Sequence, residues 1–145
     1  MSLVLDASMT IAWLFKTERS EVPRAALRRV AREGAVVPSL WRLEVANVLR
    51  NSVRRGRCRE DYATRSLGRL ERLPVSVDHE TDSHAWGETR RLALAHDLTL
   101  YDAAYLELPD GRRLILVTFT TDFAKERDII PTIAREVIRA TKREP

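Results

Sequence analysis

The segment Ser2-Leu3-Val4-Leu5-Asp6-Ala7-Ser8 decides how the rest of the chain can fold. Its three aliphatic residues form a short continuous apolar run, which is typical of a strand buried on both faces. The next run, from Met9 to Phe15, is longer and follows residues that can cap a helix. The segment therefore predicts a strand that ends in the carboxylate of Asp6 and turns directly into a helix. In open α/β sheets ligands bind at the carboxyl ends of the strands, so Asp6 is either a candidate site residue or only a helix cap.

Predicted strands and helices alternate along the rest of the sequence. The predicted helices cover residues 22–33, 40–55, 60–73, 81–96 and 99–108, and the predicted strands cover 35–37, 75–77 and 114–118. Weaker patterns indicate a helical turn at 122–125, an edge strand at 129–130 and a last helix at 132–142. Gly34 and Gly56 are expected to end two of the helices, and Ser39 to cap another. Leu43, Trp86 and Leu94 are expected on apolar helix faces.

This alternation predicts an α/β fold with a mostly parallel central sheet flanked by helices. With no linker, internal repeat or low-complexity segment, the sequence predicts a single domain spanning residues 1–145. The apolar fraction of 44% and the charged fraction of 32% are typical of a soluble globular protein. No apolar run approaches the roughly 20 residues of a membrane span, and no secretory signal is visible, so we expect a cytoplasmic protein without a membrane partner. Cys58 is the single cysteine, which excludes an intramolecular disulfide and a cysteine-rich zinc site.

The charge balance permits a nucleic-acid partner without requiring one. Lys and Arg number 25 against 21 Asp and Glu, and the isoelectric point is about 9.7. A basic domain favours polyanions, but an excess of this size can also reflect a general preference for arginine. Eight arginines could guide an RNA backbone or simply form a solvated surface: Arg50, Arg54, Arg55, Arg57, Arg59, Arg65, Arg69 and Arg72.

Three further acids lie at positions that neither a buried core nor an ordinary surface role fully explains. Glu44 lies on or beside the apolar face of its predicted helix, so it needs a compensating partner, either a metal ion or an arginine such as Arg42. Asp102 begins a helix at the capping-box spacing from Thr99, a position that would suit a metal ligand equally well. Asp122 follows the strand that starts at Leu114 and should lie at the same edge as Asp6, as a site acid or as a turn residue. Carboxylates gathered in this way require a cation.

Three stretches of the sequence carry a resemblance to a known family. They are Leu3-Val4-Leu5-Asp6-Ala7-Ser8, Pro38-Ser39-Leu40-Trp41-Arg42-Leu43-Glu44-Val45-Ala46-Asn47-Val48-Leu49 and Leu98-Thr99-Leu100-Tyr101-Asp102-Ala103-Ala104-Tyr105-Leu106-Glu107-Leu108. The chain resembles the PIN-domain ribonucleases, most closely the toxin component of VapBC-type toxin–antitoxin pairs. The resemblance implies a three-layer PIN-like fold and an endoribonuclease that depends on Mg²⁺, with Mn²⁺ as the alternative ion. It also implies that Asp6, Glu44 and Asp102 are the core acids, with Asp6 and Asp102 as metal ligands and Glu44 either as a further metal ligand or as the group that orients the attacking water. An RNA substrate, an antitoxin partner and a homodimer are implied as well.

The fourth acidic position departs from the family pattern. Members usually read Thr-x-Asp after the last core strand, whereas this chain reads Thr118-Phe119-Thr120, with Asp122 two residues further on. Either Asp122 substitutes from a shifted turn, as a fourth catalytic acid, or the fourth acid is missing. The second possibility keeps an alternative function open, that of a catalytically weak PIN-like domain that binds RNA or a protein partner. A Gly-x-Gly-x-x-Gly or phosphate-loop motif is absent from the sequence, which counts against nucleotide binding.

Overall fold

The computed structural model of the protein describes residues 2–15, 21–107 and 114–117. The strands are β1 (Ser2–Leu5), β2 (Ala35–Pro38), β3 (Val75–Asp78) and β4 (Leu114–Val117). The helices are α1 (Ala7–Leu14), α2 (Glu21–Glu33), α3 (Leu40–Arg54), α4 (Glu60–Glu71), α5 (Thr81–His84), α6 (Glu88–His96) and α7 (Leu100–Glu107). None of these helices is long and apolar enough to cross a membrane.

The four strands form one parallel sheet in the order β3-β2-β1-β4. In the register, Leu5 pairs with Val117 and Pro38 pairs with Asp78. The carboxyl ends of the strands therefore meet along one edge, and β1 lies between two neighbours. The predicted α/β fold with a parallel sheet and flanking helices is confirmed.

The core forms where α1 and α3 pack together against the sheet. Val4 and Leu5 of β1 are fully buried, as are Met9 of α1 and Val37 of β2. Each such side chain contributes about 1.5–3 kcal/mol by leaving water. Helix α3 contacts α1, α4 and β2, whereas α7 contacts α6, β2 and β4. Because β1 separates β2 from β4, helix α7 must cross the central strand.

Gly34 is required at the turn from α2 into β2. Its φ is +78°, a left-handed value that residues with a Cβ adopt only at a cost. A Cβ added there would lie 3.0 Å from the carbonyl oxygen of Pro74. The amide of Gly34 donates to the carbonyl of Val30 at 2.8 Å, and so ends the helix. The predicted C-terminal glycine of this helix is confirmed.

Several details differ from the sequence-based expectations. Ser39 occupies the N-cap position of α3, but its side chain makes no capping hydrogen bond. The helix predicted over 81–96 is two helices, because the backbone at Gly87 (φ −106°, ψ −102°) leaves the helical region. Trp86 lies in this break and is 92% exposed, so its predicted place on an apolar helix face is wrong.

Leu43 and Leu94 were also expected on apolar faces, and both are largely exposed. The buried residues of α3 recur at every third or fourth position, namely Trp41, Val45, Leu49 and Ser52, and Leu43 lies off that line. The buried line of α6 runs through Thr89 and Ala93, so Leu94 points away from it. The elements predicted at 122–125, 129–130 and 132–142 lie outside the described residues.

Candidate active site

Asp6 follows the last residue of β1 and is the N-cap of α1. Its Oδ1 accepts a hydrogen bond from the amide of Met9 at 3.0 Å, and the hydroxyl of Ser8 donates to Oδ1 and Oδ2 at 2.8 and 3.0 Å. Asp6 is buried, with 3% of its surface exposed. Its negative charge is favoured by the amino end of the helix dipole. The capping interpretation of Asp6 is therefore correct, and it is compatible with a second role, because each carboxylate oxygen has two lone pairs.

Glu44 lies in the second turn of α3 and is partly buried, as its place beside the apolar face predicts. Its Oε1 accepts a hydrogen bond from the hydroxyl of Tyr105, which lies on α7. Within the described residues, Oε2 of Glu44 makes no hydrogen bond. Arg42, the structural partner considered from the sequence, instead pairs with the exposed Glu71 at 3.6 Å. The Arg42 hypothesis is wrong because the Arg42 side chain points to solvent.

Asp102 lies in the first turn of α7, where its backbone amide donates to Oγ1 of Thr99 at 3.1 Å. Thr99 thus caps the helix, which confirms one half of the predicted capping box. Asp102 is partly exposed, and the helix dipole favours its ionised form at this position.

The three acids interact electrostatically. Burial raises the pKa of Glu44 above its ordinary value, and the negative charges of Asp102 and Asp6 raise it further. The hydrogen bond from Tyr105 acts against them and lowers the pKa of Glu44. The Tyr105 hydroxyl is held in its protonated form, because burial and then its bond to Glu44 raise the pKa of Tyr105 far above its usual range. The site therefore concentrates negative charge around a neutral donor.

A chain of buried hydrogen bonds ties α3 to α1. The indole Nε1 of Trp41 donates to Oγ1 of Thr10 at 3.1 Å, and the hydroxyl of Thr10 donates to the carbonyl of Asp6 at 2.9 Å. Trp41 lies one helical turn before Glu44. The chain thus holds the backbone of Asp6 in a set position relative to the helix that carries Glu44.

The chemistry of these residues fits a hard divalent cation. Carboxylate oxygens are the ligands that Mg²⁺ prefers, and mutual repulsion among carboxylates favours a cation between them. In the part of the chain that the structure describes, however, no three His, Cys, Asp or Glu side chains are arranged as a metal-binding group. Closing a three-ligand set therefore requires the side chains to move, and the lone pairs that the bonds from Tyr105 and Ser8 leave open on Glu44 and Asp6 would then serve the ion.

Two predicted features lie partly or wholly outside this cluster. Asp122 and Thr120 fall outside the described residues, so the fourth acid stays a prediction. The predicted RNA-guiding arginines are all exposed, on α3, on α4, in the loop between them and just after α4: Arg50, Arg54, Arg55, Arg57, Arg59, Arg65, Arg69 and Arg72. Exposure agrees with both a phosphate-binding and a solvated role.

Sequence reasoning missed Tyr105 as the partner of Glu44. One signal was available, since Tyr105 follows Asp102 by three positions and so lies on the same face of α7. The bond from the Trp41 indole to Thr10 left no comparable signal, because it joins residues 31 positions apart. The bond from Thr10 to the carbonyl of Asp6 is the usual bond of a threonine hydroxyl to the residue four positions back.

Comparisons with known proteins show the family of the chain. The chain matches the family model of the PIN domain over residues 3–128. It is 34% identical over 126 residues to a protein of Pyrobaculum aerophilum named Ribonuclease VapC3, a match that covers 87% of this chain and 95% of that protein. The parallel sheet, the strand-end aspartate and the acids on α3 and α7 occur within the matched region. The chain therefore belongs to the PIN domain family and is of the VapC type.

Proposed function

We propose that this protein is a Mg²⁺-dependent endoribonuclease that acts as the toxin of a toxin–antitoxin pair. The observation that carries the proposal is geometric: Asp6 follows the end of β1, and the hydroxyl of Tyr105, one turn after Asp102 on α7, donates to Glu44 on α3. The name of the Pyrobaculum relative, a ribonuclease, supports the reaction class. Manganese is the alternative ion, since it accepts the same oxygen ligands.

In this proposal each acid has a distinct task. Asp6 and Asp102 hold the ion, and their places at helix amino ends keep them ionised. When bound, Mg²⁺ supplies polarisation of the phosphodiester and activation of the attacking water. Glu44 either holds the ion as well or accepts a proton from the water, and a raised pKa suits a general base that works near neutral pH. Tyr105 orients Glu44, and Asp122 is a further acid of the site.

The remaining features of the proposal follow from family membership. We propose one domain over residues 1–145, a homodimer, an antitoxin that holds the enzyme inactive, and a cytoplasmic location. We propose single-stranded RNA as the preferred substrate class, because its unpaired bases can stack on aromatic and arginine side chains and expose their edges for recognition.

A cleavage assay with purified full-length protein tests the proposal. Single-stranded and structured RNA are incubated with Mg²⁺, with Mn²⁺ or with EDTA. Asp6→Asn is the informative variant, because asparagine caps a helix as well as aspartate does and so preserves the fold. Asp82→Asn is the matched control, since Asp82 is an exposed aspartate in the first turn of α5.

We expect metal-dependent cleavage that Asp6→Asn lowers by about a hundredfold or more, the scale lost with a group that acts on the reacting atoms. Asp82→Asn should cleave as the wild type does. Cleavage that persists in EDTA, or that survives Asp6→Asn, would overturn the proposal.

One feature of the sequence favours a second candidate function. Thr120 stands where members of the family usually carry the fourth acid, which suits a domain that binds RNA or a protein with little catalysis. That alternative predicts RNA binding without cleavage under every metal condition of the same assay.

A further inference from the structure

A surface pocket lies at the end of α1 that is far from Asp6. It has a volume of about 420 Å³, within the range of small-ligand sites, and its walls come from α1, from the loop between α3 and α4, and from α4. Asp6 and Phe15 are the two caps of α1, an eight-residue helix. Such a helix is about 12 Å long, the rise of about three or four stacked nucleotides.

Aromatic rings and guanidinium groups face one another in this pocket. The Cζ atom of Arg57 lies 4.3 Å from the ring centre of Phe15. Beside the pocket, the Cζ atom of Arg69 lies 5.9 Å from the ring centre of Tyr62. The two ring centres are 6.3 Å apart, and the ring planes are inclined by 50°. The hydroxyl of Tyr62 donates to the carbonyl of Leu14, which holds that ring in place. Rings and guanidinium planes are the surfaces on which unpaired bases stack.

The charge of the pocket favours an anion. Arg57, Arg59 and Arg65 line it and are exposed, and Asp61 is the acid among its lining residues. The Oδ2 atom of Asp61 lies 3.6 Å from Nη2 of Arg65, so Asp61 offsets the charge of that arginine. The charges of Arg57 and Arg59 are left for a ligand. Arg54 and Arg55 end α3 just before this loop and extend the positive surface. A positive surface next to stacking surfaces matches the alternation of phosphate and base along a single strand.

We propose that this aromatic–arginine pocket is a binding subsite for one nucleotide of single-stranded RNA, with the base on Phe15 or Tyr62 and the phosphate on Arg59. The inference rests on the proposed function, because it takes RNA as the ligand. It adds the place where the strand is held, away from the acids. A purely acidic peptide would use the arginines but would leave the rings without a stacking partner.

Binding is measured separately from cleavage. The probe is a fluorescein-labelled oligoadenylate, and all proteins carry Asp6→Asn so that the RNA stays intact. Phe15→Leu removes the ring but keeps an apolar side chain, and Arg59→Gln removes one charge. Arg90→Gln is the matched control, since Arg90 is an exposed arginine on α6.

We expect Phe15→Leu to weaken binding by at least about fivefold with the salt dependence unchanged, the effect of losing a stacking surface. Arg59→Gln should weaken binding and lower the slope of log affinity against log salt by about 0.7, the value for one phosphate contact on a single strand. Arg90→Gln should leave affinity and slope unchanged.

The single cysteine supplies an independent readout. Cys58 lines the pocket and is partly buried, so its alkylation by iodoacetamide reports occupancy at this place alone. Oligoadenylate should slow the alkylation, and Arg59→Gln should restore the rate at the same RNA concentration.

Three outcomes would overturn the inference: unchanged alkylation at saturating RNA, unchanged affinity in both variants, or stronger protection by polyglutamate than by oligoadenylate. The last would assign the pocket to an acidic protein segment. Failure here is distinct from failure of the proposed function. If the protein cleaves RNA but RNA does not slow the alkylation of Cys58, the proposed function stands and the subsite is refuted. If RNA slows the alkylation but the protein without Asp6→Asn does not cleave RNA, the subsite stands and the proposed function is refuted.

Discussion

Replacing Tyr105 with phenylalanine tests whether Glu44 is an oriented, functional carboxylate. The substitution removes only the hydroxyl that donates to Glu44. A hydrogen bond to a charged group contributes about 1.5–3 kcal/mol, and because Glu44 is only partly buried, water replaces some of it. We therefore take the lower end, about 1.5 kcal/mol, which corresponds to about tenfold in an equilibrium constant.

The direction of the effect on pH dependence follows from the same bond. The Tyr105 hydroxyl lowers the pKa of Glu44 against burial and the charges of Asp102 and Asp6. Without it, the pKa of Glu44 rises further, so a larger fraction of the carboxyl is protonated at a given pH. The acidic limb of the pH–rate profile should move to higher pH. The rate should fall by up to about tenfold on that limb and recover where Glu44 is ionised in both proteins.

The assay is single-turnover cleavage of RNA over a range of pH with saturating Mg²⁺. Tyr101→Phe is the matched control, because Tyr101 lies one turn earlier on the same helix and is 68% exposed. It should match the wild type throughout. If Tyr105→Phe leaves the acidic limb in place, or if both variants shift it equally, the argument for Glu44 is refuted.

Two further predictions concern stability. The pKa of Glu44 in the folded protein is raised above its ordinary value of 4.5, so the contribution of Glu44 to stability is present below that value and is lost as the pH rises through the folded pKa. Glu44→Gln should therefore raise the melting temperature of the EDTA-treated protein near neutral pH. Saturating Mg²⁺ should make the wild type the more stable of the two proteins, because the ion binds its folded state. An unchanged melting temperature in EDTA would count against a destabilising carboxylate. Gly34→Ala should lower the free energy of unfolding in urea by about 2–3 kcal/mol, since it adds a clash with the Pro74 carbonyl to the cost of a positive φ. Gly56→Ala, at φ +71° with open space around it, should cost only about 1 kcal/mol, and equal losses in the two variants would contradict the clash.

The parts of the site that the sequence predicts are those that depend on neighbours along the chain. An aspartate after a buried strand becomes a helix cap, as Asp6 does, and Thr99 caps the helix of Asp102 for similar local reasons. The bond between Tyr105 and Glu44 joins residues 61 positions apart, and it depends on how α7 is rotated against α3. No periodicity in either helix determines that rotation.

The same limit explains the errors in burial. The apolar character of Leu43 and Trp86 suggests a core position, but burial depends on which face meets another element. Leu43 misses the buried line of α3 by two positions, and Trp86 lies where the helix is interrupted. A hydrophobic residue can be read from the sequence, whereas the presence of a surface opposite it cannot.

The place of β1 within the sheet has a consequence for biosynthesis. β1 is made before its partners β2 and β4, and Leu5 pairs with Val117, the last residue that the structure describes. Pairings between such distant residues form slowly, because a long loop must close before any contact rewards it. The carboxylate that follows β1 can therefore reach its final setting only after the segment that carries β4 has left the ribosome. A protein that degrades RNA would in this way stay harmless to the message from which it is being translated until that segment has been made.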